Sequence, residues 1–458
     1  MKKISLSAIL LFVLVTPFIM TYGLGPGETP YWLFGLIFGL LLAYLGLDLI
    51  KVKAKEKLNP PPARRTSVSS VEPLGDSSFV AALPRLWRGG GSGRKFDLHL
   101  AADELKSVLL WLIIILVIGA AFLAAVLVRH QTSPVFQVHD IVIQLESVIQ
   151  FFLQGKNPYT SFYFGTPLEE WHYAETAVNP ALFHFVMMPW YFLFSLPFYF
   201  LSISFFGFFD GRLPLFFLFF FLLFLAWRLV KDSENRRLFL ILLAFNPATL
   251  GYFLEGRGDI FMFTFLFWSW YWLEKKRYSL AGIPLALAFA TKQSSWPIFP
   301  FYLAFLWWKE KKKVRQKIKL IIKQILPFIF VFGAIVLPFF LWAPKAFLNS
   351  TVFYLAGSIS HSYPIAGYGW GMVLHQRGLI GDLNAYYPFW LWQLLFCLPL
   401  AIGLLLWLRK STTVERLIVC YGLFTFVFWY FSRYFNNSHL GYLSMVFVTA
   451  YFWPKSRF

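Results

Sequence analysis

Asp140 stands just past an apolar run long enough to cross a bilayer, with His139 before it. From there Asp140, Gln144, Ser147 and Gln154 recur at near-helical spacing opposite Ile141, Leu145, Ile149 and Phe152. This spacing predicts an amphipathic helix lying on the membrane surface. Gly155 is placed to close it in a left-handed conformation, and Asn157-Pro158 cannot continue it. Asp is among the best helix caps, so Asp140 can serve as one. Further polar groups, Glu255, Arg257, Asp259 and Lys292, lie near the ends of apolar runs. At membrane centre each would cost about 2.5 to 3.5 kcal/mol, so they should face water or one another. Arg433 carries a planar guanidinium, which can bind two phosphate oxygens at once or act as an interfacial anchor.

Other chemistries lack their residues. The chain has no Gly-rich phosphate loop, Cys/His cluster or nucleophile elbow. Cys397 and Cys420 both sit inside apolar runs and make neither a disulfide framework nor a metal pattern. No Asp-x-Asp pair occurs in the first outer loop, which argues weakly against an obligatory metal, and no cofactor is expected.

The elements that must position these groups are membrane helices. With 458 residues, 58% hydrophobic and only 14% charged, the chain is too apolar for a soluble domain of this length. The expectation is an all-α polytopic transmembrane bundle of about 11 to 13 spans in the cell membrane, with amphipathic helices in its first outer loop. The net charge of +19 is concentrated in residues 51–106 and 309–323, between spans. That reads as a topology signal and an attraction to membrane lipids rather than nucleic acid.

Residues 1–50 make a two-span hairpin, retained rather than cleaved, and 51–106 a basic, flexible, cytoplasmic linker with Pro60-Pro61-Pro62 and Gly89-Gly90-Gly91-Ser92-Gly93. The core, 107–458, carries outer loops at 129–180, with Glu169, Glu170, His172, Tyr173 and Glu175, and at 343–387. Its apolar runs fall near 180–206, 213–230, 238–254, 260–273, 279–308, 321–342, 388–408, 414–431 and 438–453. One parity is open: Asp140 outside and Lys231–Arg237 inside need an odd number of crossings, and two apolar runs lie between. Either 180–206 does not cross, or the loop Lys231–Arg237 is outside.

Lys292 is followed by Gln293, Ser294 and Ser295, a polar break in a hairpin that could have stayed apolar, and this favours function over snorkelling. Glu255 and Asp259 read more simply as a charged turn, and Arg257 falls between. The 343–387 segment holds His361, His375, Arg377 and Asp382 among Gly, Ser and Tyr. Such glycines allow close approach of a ligand, and the aromatics suit a sugar face or an interfacial belt.

Taken in order, these stretches resemble a known family. Asp140 after a first core span, the amphipathic helix and Gly155-Lys-Asn-Pro-Tyr159 are similar to the GT-C superfamily of integral-membrane glycosyltransferases, which use lipid-phosphate-linked sugars. So are Asn246-Pro247 leading to Gly258-Asp259, the Ala281-Gly282 half-span ending in Lys292, and Arg433-Tyr434-Phe435 with Asn436 and Tyr442, although an Ala stands where a second Gly is common. The resemblance covers roughly residues 107–453, and the order of the motifs carries it more than any one of them. It implies Asp140 as general base, with Lys292, Arg433 and also Arg257 or Arg377 at the phosphate, and His139, His361 and His439 in substrate binding. The implied partners are a polyprenyl-phosphate sugar donor, mannosyltransferase-like, and an unknown glycan, lipid or protein acceptor; a nucleotide sugar is not expected. Glu146 falls off the Asp140 face and is not counted as a second catalytic carboxylate. The rival reading is a transporter or flippase of a lipid-linked or sugar substrate, although no internal repeat is evident.

Overall fold

A computed structural model describes residues 4–22, 31–58, 98–172 and 178–455. Most of the linker, residues 59–97, and Tyr173 and Glu175 lie outside the described residues. The described chain is almost wholly helical, and its one sheet is a two-residue parallel bridge, β1 (Ala366–Gly367) on β2 (Tyr434–Phe435). Among the described residues, three helices are long and apolar enough to cross a membrane: Ala101–Thr132, Val314–Trp342 and Phe389–Lys410.

The hairpin helices α1 (Leu6–Tyr22) and α2 (Tyr31–Leu58) pack on α3 (Leu98–Thr132). Buried polar groups fasten them at one end of the bundle. Asp48 of α2 pairs with Lys106 of α3, and the Ser7 hydroxyl of α1 donates to Glu234 at 3.0 Å. At the opposite end, α3 delivers the chain to α4 (Asp140–Leu153). The chain then passes through short α5 (Trp190–Leu193) and α6 (Leu196–Phe206) before α7 (Leu213–Leu229) and α8 (Ser233–Ala244).

Within the bundle, the 180–206 segment starts and finishes at one end. The Trp190 amide donates to Ala290 O at 2.8 Å, and Asp210, just before α7, pairs with Arg129 near the end of α3. Both flanks of α5–α6 therefore sit at the Asp140 end. Only α7 carries the chain from Arg212 to the Lys231 end.

The chain continues through α9 (Leu250–Leu254), α10 (Asp259–Glu274), α11 (Tyr278–Phe289), α12 (Phe299–Lys309) and α13 (Val314–Trp342). Three short helices, α14 (Pro344–Leu348), α15 (Tyr354–Ala356) and α16 (Trp370–Gln376), lie in the 343–387 segment, which caps the Asp140 end. Long α17 (Phe389–Lys410), α18 (Val414–Tyr430) and α19 (Asn437–Phe452) complete the bundle.

The predicted amphipathic helix is present, and Gly155 closes it with φ +76°. Its placement corrects the surface expectation. Both of its faces are buried up to Ile149, the apolar one in the main core. The polar one lies under the loop that follows, because Gln144 Nε2 donates to Ala181 O and His184 O.

Candidate functional site

Asp140 is the first residue of α4, and the cap position before it falls to His139, so capping is not its role. The His139 amide donates to Glu255 O at 2.8 Å, which fixes the start of the helix against the α9–α10 turn. His139 Nδ1 lies 2.6 Å from Asp140 Oδ1 and 3.3 Å from the Ile141 amide nitrogen. Nδ1 accepts the Ile141 amide and so caps the helix, with the Asp140 carboxylate alongside it. Asn179 Nδ2 donates to the other oxygen at 3.3 Å. Asp140 thus lies against His139 and Asn179, only 5% exposed, at the wall of a cavity.

The opposite wall comes from the turn Gly256-Arg257-Gly258-Asp259. Gly256 has φ +87°, and a Cβ there would lie 2.3 Å from Val142 of α4, so only glycine lets the turn press on the helix that carries Asp140. Asp259 then opens α10, and Lys292 arrives from the end of α11, Nζ 2.6 Å from Asp259 Oδ1. Asp259, which follows the charged turn, lines the cavity and pairs with Lys292 rather than with a charge of the turn itself. Arg257 lies over the Tyr252 ring, 4.4 Å from its centre, and its Nε bonds Glu255 at 3.1 Å. Gln293 Nε2 braces the loop after Lys292 by donating to Val186 O and Thr351 O, each at 2.9 Å.

A third wall is the start of α19. Asn436 caps it and receives the His439 amide, while His439 Nδ1 accepts the Asn436 amide at 3.1 Å. That reciprocal box leaves the His439 proton on Nε2.

These walls enclose about 160 Å³ lined by His139, Asp140, Arg257, Asp259, Lys292 and His439. His184, Gln144, Tyr354 and Tyr434 complete it, and none of these four was singled out as a site residue by the sequence. Burial lowers the His184 pKa, against a bond to Ser360 O. The N-termini of α4, α10 and α19 all open on this space, and their positive dipole ends suit an anion. Among the described residues no group of three or more His, Cys, Asp or Glu is placed to hold a metal.

Three expected site residues are elsewhere. Arg433 is 2% exposed and spends its guanidinium on backbone carbonyls, those of Tyr363, Leu383, Asn384 and Ala385. It ties the 363–385 loop to β2 and does not line the cavity. His361, at φ +56°, stacks on Phe183 with ring centres 3.7 Å apart, and Arg377 is exposed after α16; neither reaches the cavity.

Beneath α4 lies an ion network that sequence reasoning missed. Glu146 receives a two-pronged bond from Arg129 at 2.7 and 2.8 Å, and the Gly211 amide at 2.8 Å. Arg129 also reaches Asp210 at 3.0 Å, and Arg212 clasps Asp210 through Nε and Nη2 at 2.9 and 2.8 Å. Arg212 further donates to Ala125 O and Leu254 O. The network locks α4 to α3, α7 and α9, and so holds Asp140 in place. A clue existed in the sequence: Arg129, Asp210 and Arg212 are ionisable residues at apolar-run ends, where a partner is required.

No protein-family model matches the chain, and no curated protein or solved structure does.

Proposed function

We propose that this protein is a multi-pass membrane glycosyltransferase of GT-C type, with about 11 to 13 crossings, its Lys-rich ends inside and the Asp140 cavity at the outer face of the cell membrane. It moves a hexose from a polyprenyl-phosphate carrier to an acceptor hydroxyl. The observation that carries the reading is the convergence of Asp140, Arg257 and Lys292, far apart in sequence, on one small cavity with three helix N-termini.

In this reading the acceptor oxygen attacks the anomeric carbon while the bond from that carbon to the phosphate oxygen breaks, which inverts the centre. The hydroxyl proton passes to Asp140, whose carboxylate lies beside His139. A general base of this kind contributes typically about 10² to 10⁴ in rate. Lys292 and Arg257, with the helix dipoles, stabilise the departing phosphate, which leaves without a strong acid. One base therefore suffices, unlike the carboxyl pair of a glycosidase.

The test is to supply purified protein in vesicles with polyprenyl-phosphate hexoses labelled in the sugar, together with membrane extracts as acceptor. Transfer of label to a new covalent product supports the reading. Movement of intact carrier across the vesicle wall with no covalent product contradicts it and favours the flippase.

A further inference from the structure

Gln144 is one helical turn beyond Asp140 on α4 and lines the same cavity, and its side chain is wholly buried. Its amide orientation is decided by its neighbours. One terminal atom faces Ala181 O at 2.6 Å and His184 O at 2.9 Å, so that atom is the NH₂ group; the reverse assignment would set an oxygen against two carbonyls. The other atom, Oε1, is a buried acceptor with no hydrogen-bond donor from the protein. A fixed, buried, unpartnered acceptor is costly, by roughly 1 to 3 kcal/mol, and needs a reason.

We infer that Gln144 Oε1 receives a hydrogen bond from a hydroxyl of the transferred sugar and is a specificity-determining residue of the site. The inference rests on the proposed transfer reading and deepens it. Residues four apart on a helix have Cβ atoms about 5 to 6 Å apart, so a group held by Gln144 lies beside the proton accepted by Asp140. The cavity already offers donors and cations for phosphate in Lys292 and Arg257. Gln144 is among its lining residues, and the unpartnered Oε1 is a neutral acceptor, which matches a sugar hydroxyl and is of no use to a phosphate oxygen. A site built to bond a hydroxyl rejects the analogue lacking it, because its own buried group is then left bare.

The experiment measures binding to the full-length protein in detergent of three probes: bare polyprenyl phosphate, polyprenyl-phosphate glucose, mannose and galactose, and the monodeoxy forms of whichever hexose binds best. The expected result is that one monodeoxy form binds wild type about 10- to 100-fold more weakly than its parent, and that Gln144→Met binds the two forms alike. Thermal unfolding of Gln144→Met in detergent reports that the variant is folded, and a folded variant that keeps the discrimination overturns the inference. If the carriers bind wild type and every monodeoxy form binds as tightly as its parent, Gln144 is not a hydroxyl reader and this inference fails alone. If neither bare nor glycosylated carrier binds wild type, the transferase reading fails and the inference falls with it.

Discussion

Lys292 reaches Asp259 across 33 residues of sequence, Nζ to Oδ1 at 2.6 Å. The pair joins the end of α11 to the start of α10 and fixes an ammonium group at the cavity wall. In the proposed transfer reading the carboxylate does the positioning and the cation meets the substrate.

Lys292→Met should therefore lower sugar transfer by about 10² to 10³, the loss expected when one charge stabiliser is removed. Asp259→Asn should cost less, because the ammonium remains. The double variant should fall no further than Lys292→Met, since the two act as a unit. Turnover of labelled carrier by the four proteins checks this, and unchanged transfer by Lys292→Met would remove it from the site.

The ion network beneath α4 should matter to stability rather than to chemistry. Asp210 is fully buried between Arg129 and Arg212, and removing one member of such a network typically costs about 3 to 5 kcal/mol. Asp210→Ala should show a loss of that size in unfolding of the detergent-solubilised protein. A loss under about 1 kcal/mol would mean that the network does not hold α4.

The same residue gives a pH dependence of known sign. Burial alone would raise the Asp210 carboxyl, but bonds from Arg212 and His130 and the charges of Arg212 and Arg129 outweigh it and hold the group well below the usual carboxylate range. A depressed carboxylate stabilises the fold above its unfolded pKa of about 3.9, and this stabilisation is lost as pH falls through the folded value. The stability advantage of wild type over Asp210→Asn should be full above about pH 4 and shrink steadily below it. Unfolding of both proteins between pH 3 and 7 reads this directly, and an advantage that grew towards acid would contradict it.

Arg433 invites a test between two roles. A lysine cannot reproduce a planar fork spread over several carbonyls, so Arg433→Lys should speed hydrogen exchange across residues 363–385. Carrier affinity should change less than the exchange does. Unaltered exchange together with lost carrier binding would return Arg433 to the phosphate.

Much of this was legible in the sequence where a residue type met a boundary. Asp140, His139, Arg257, Lys292 and His439 sit at the ends of apolar runs, and all five line one cavity. What stayed hidden depends on partners distant in the chain. Asp259 looked like part of a turn because Lys292 is 33 residues away. The polar face of α4 looked wet because nothing in the heptad-scale pattern shows that residues 181–184 would cover Gln144. Arg433 looked like an anion clamp because guanidinium serves carbonyls and phosphate equally well. The 180–206 run was apolar enough to cross, and its helix breaks at Gly207 after only 11 residues, which hydropathy does not register.

The account stands on Asp140 as the proton acceptor, and the most direct measurement pairs wild type with Asp140→Asn in the same membranes. Both would receive polyprenyl-phosphate sugars labelled in the sugar, and release of label from the carrier would be followed. The account predicts release by wild type and a drop of about 10² to 10⁴ in the variant, with equal amounts of inserted protein. Equal release by the two proteins would contradict it, leaving Asp140 as the buried partner of His139 and no more.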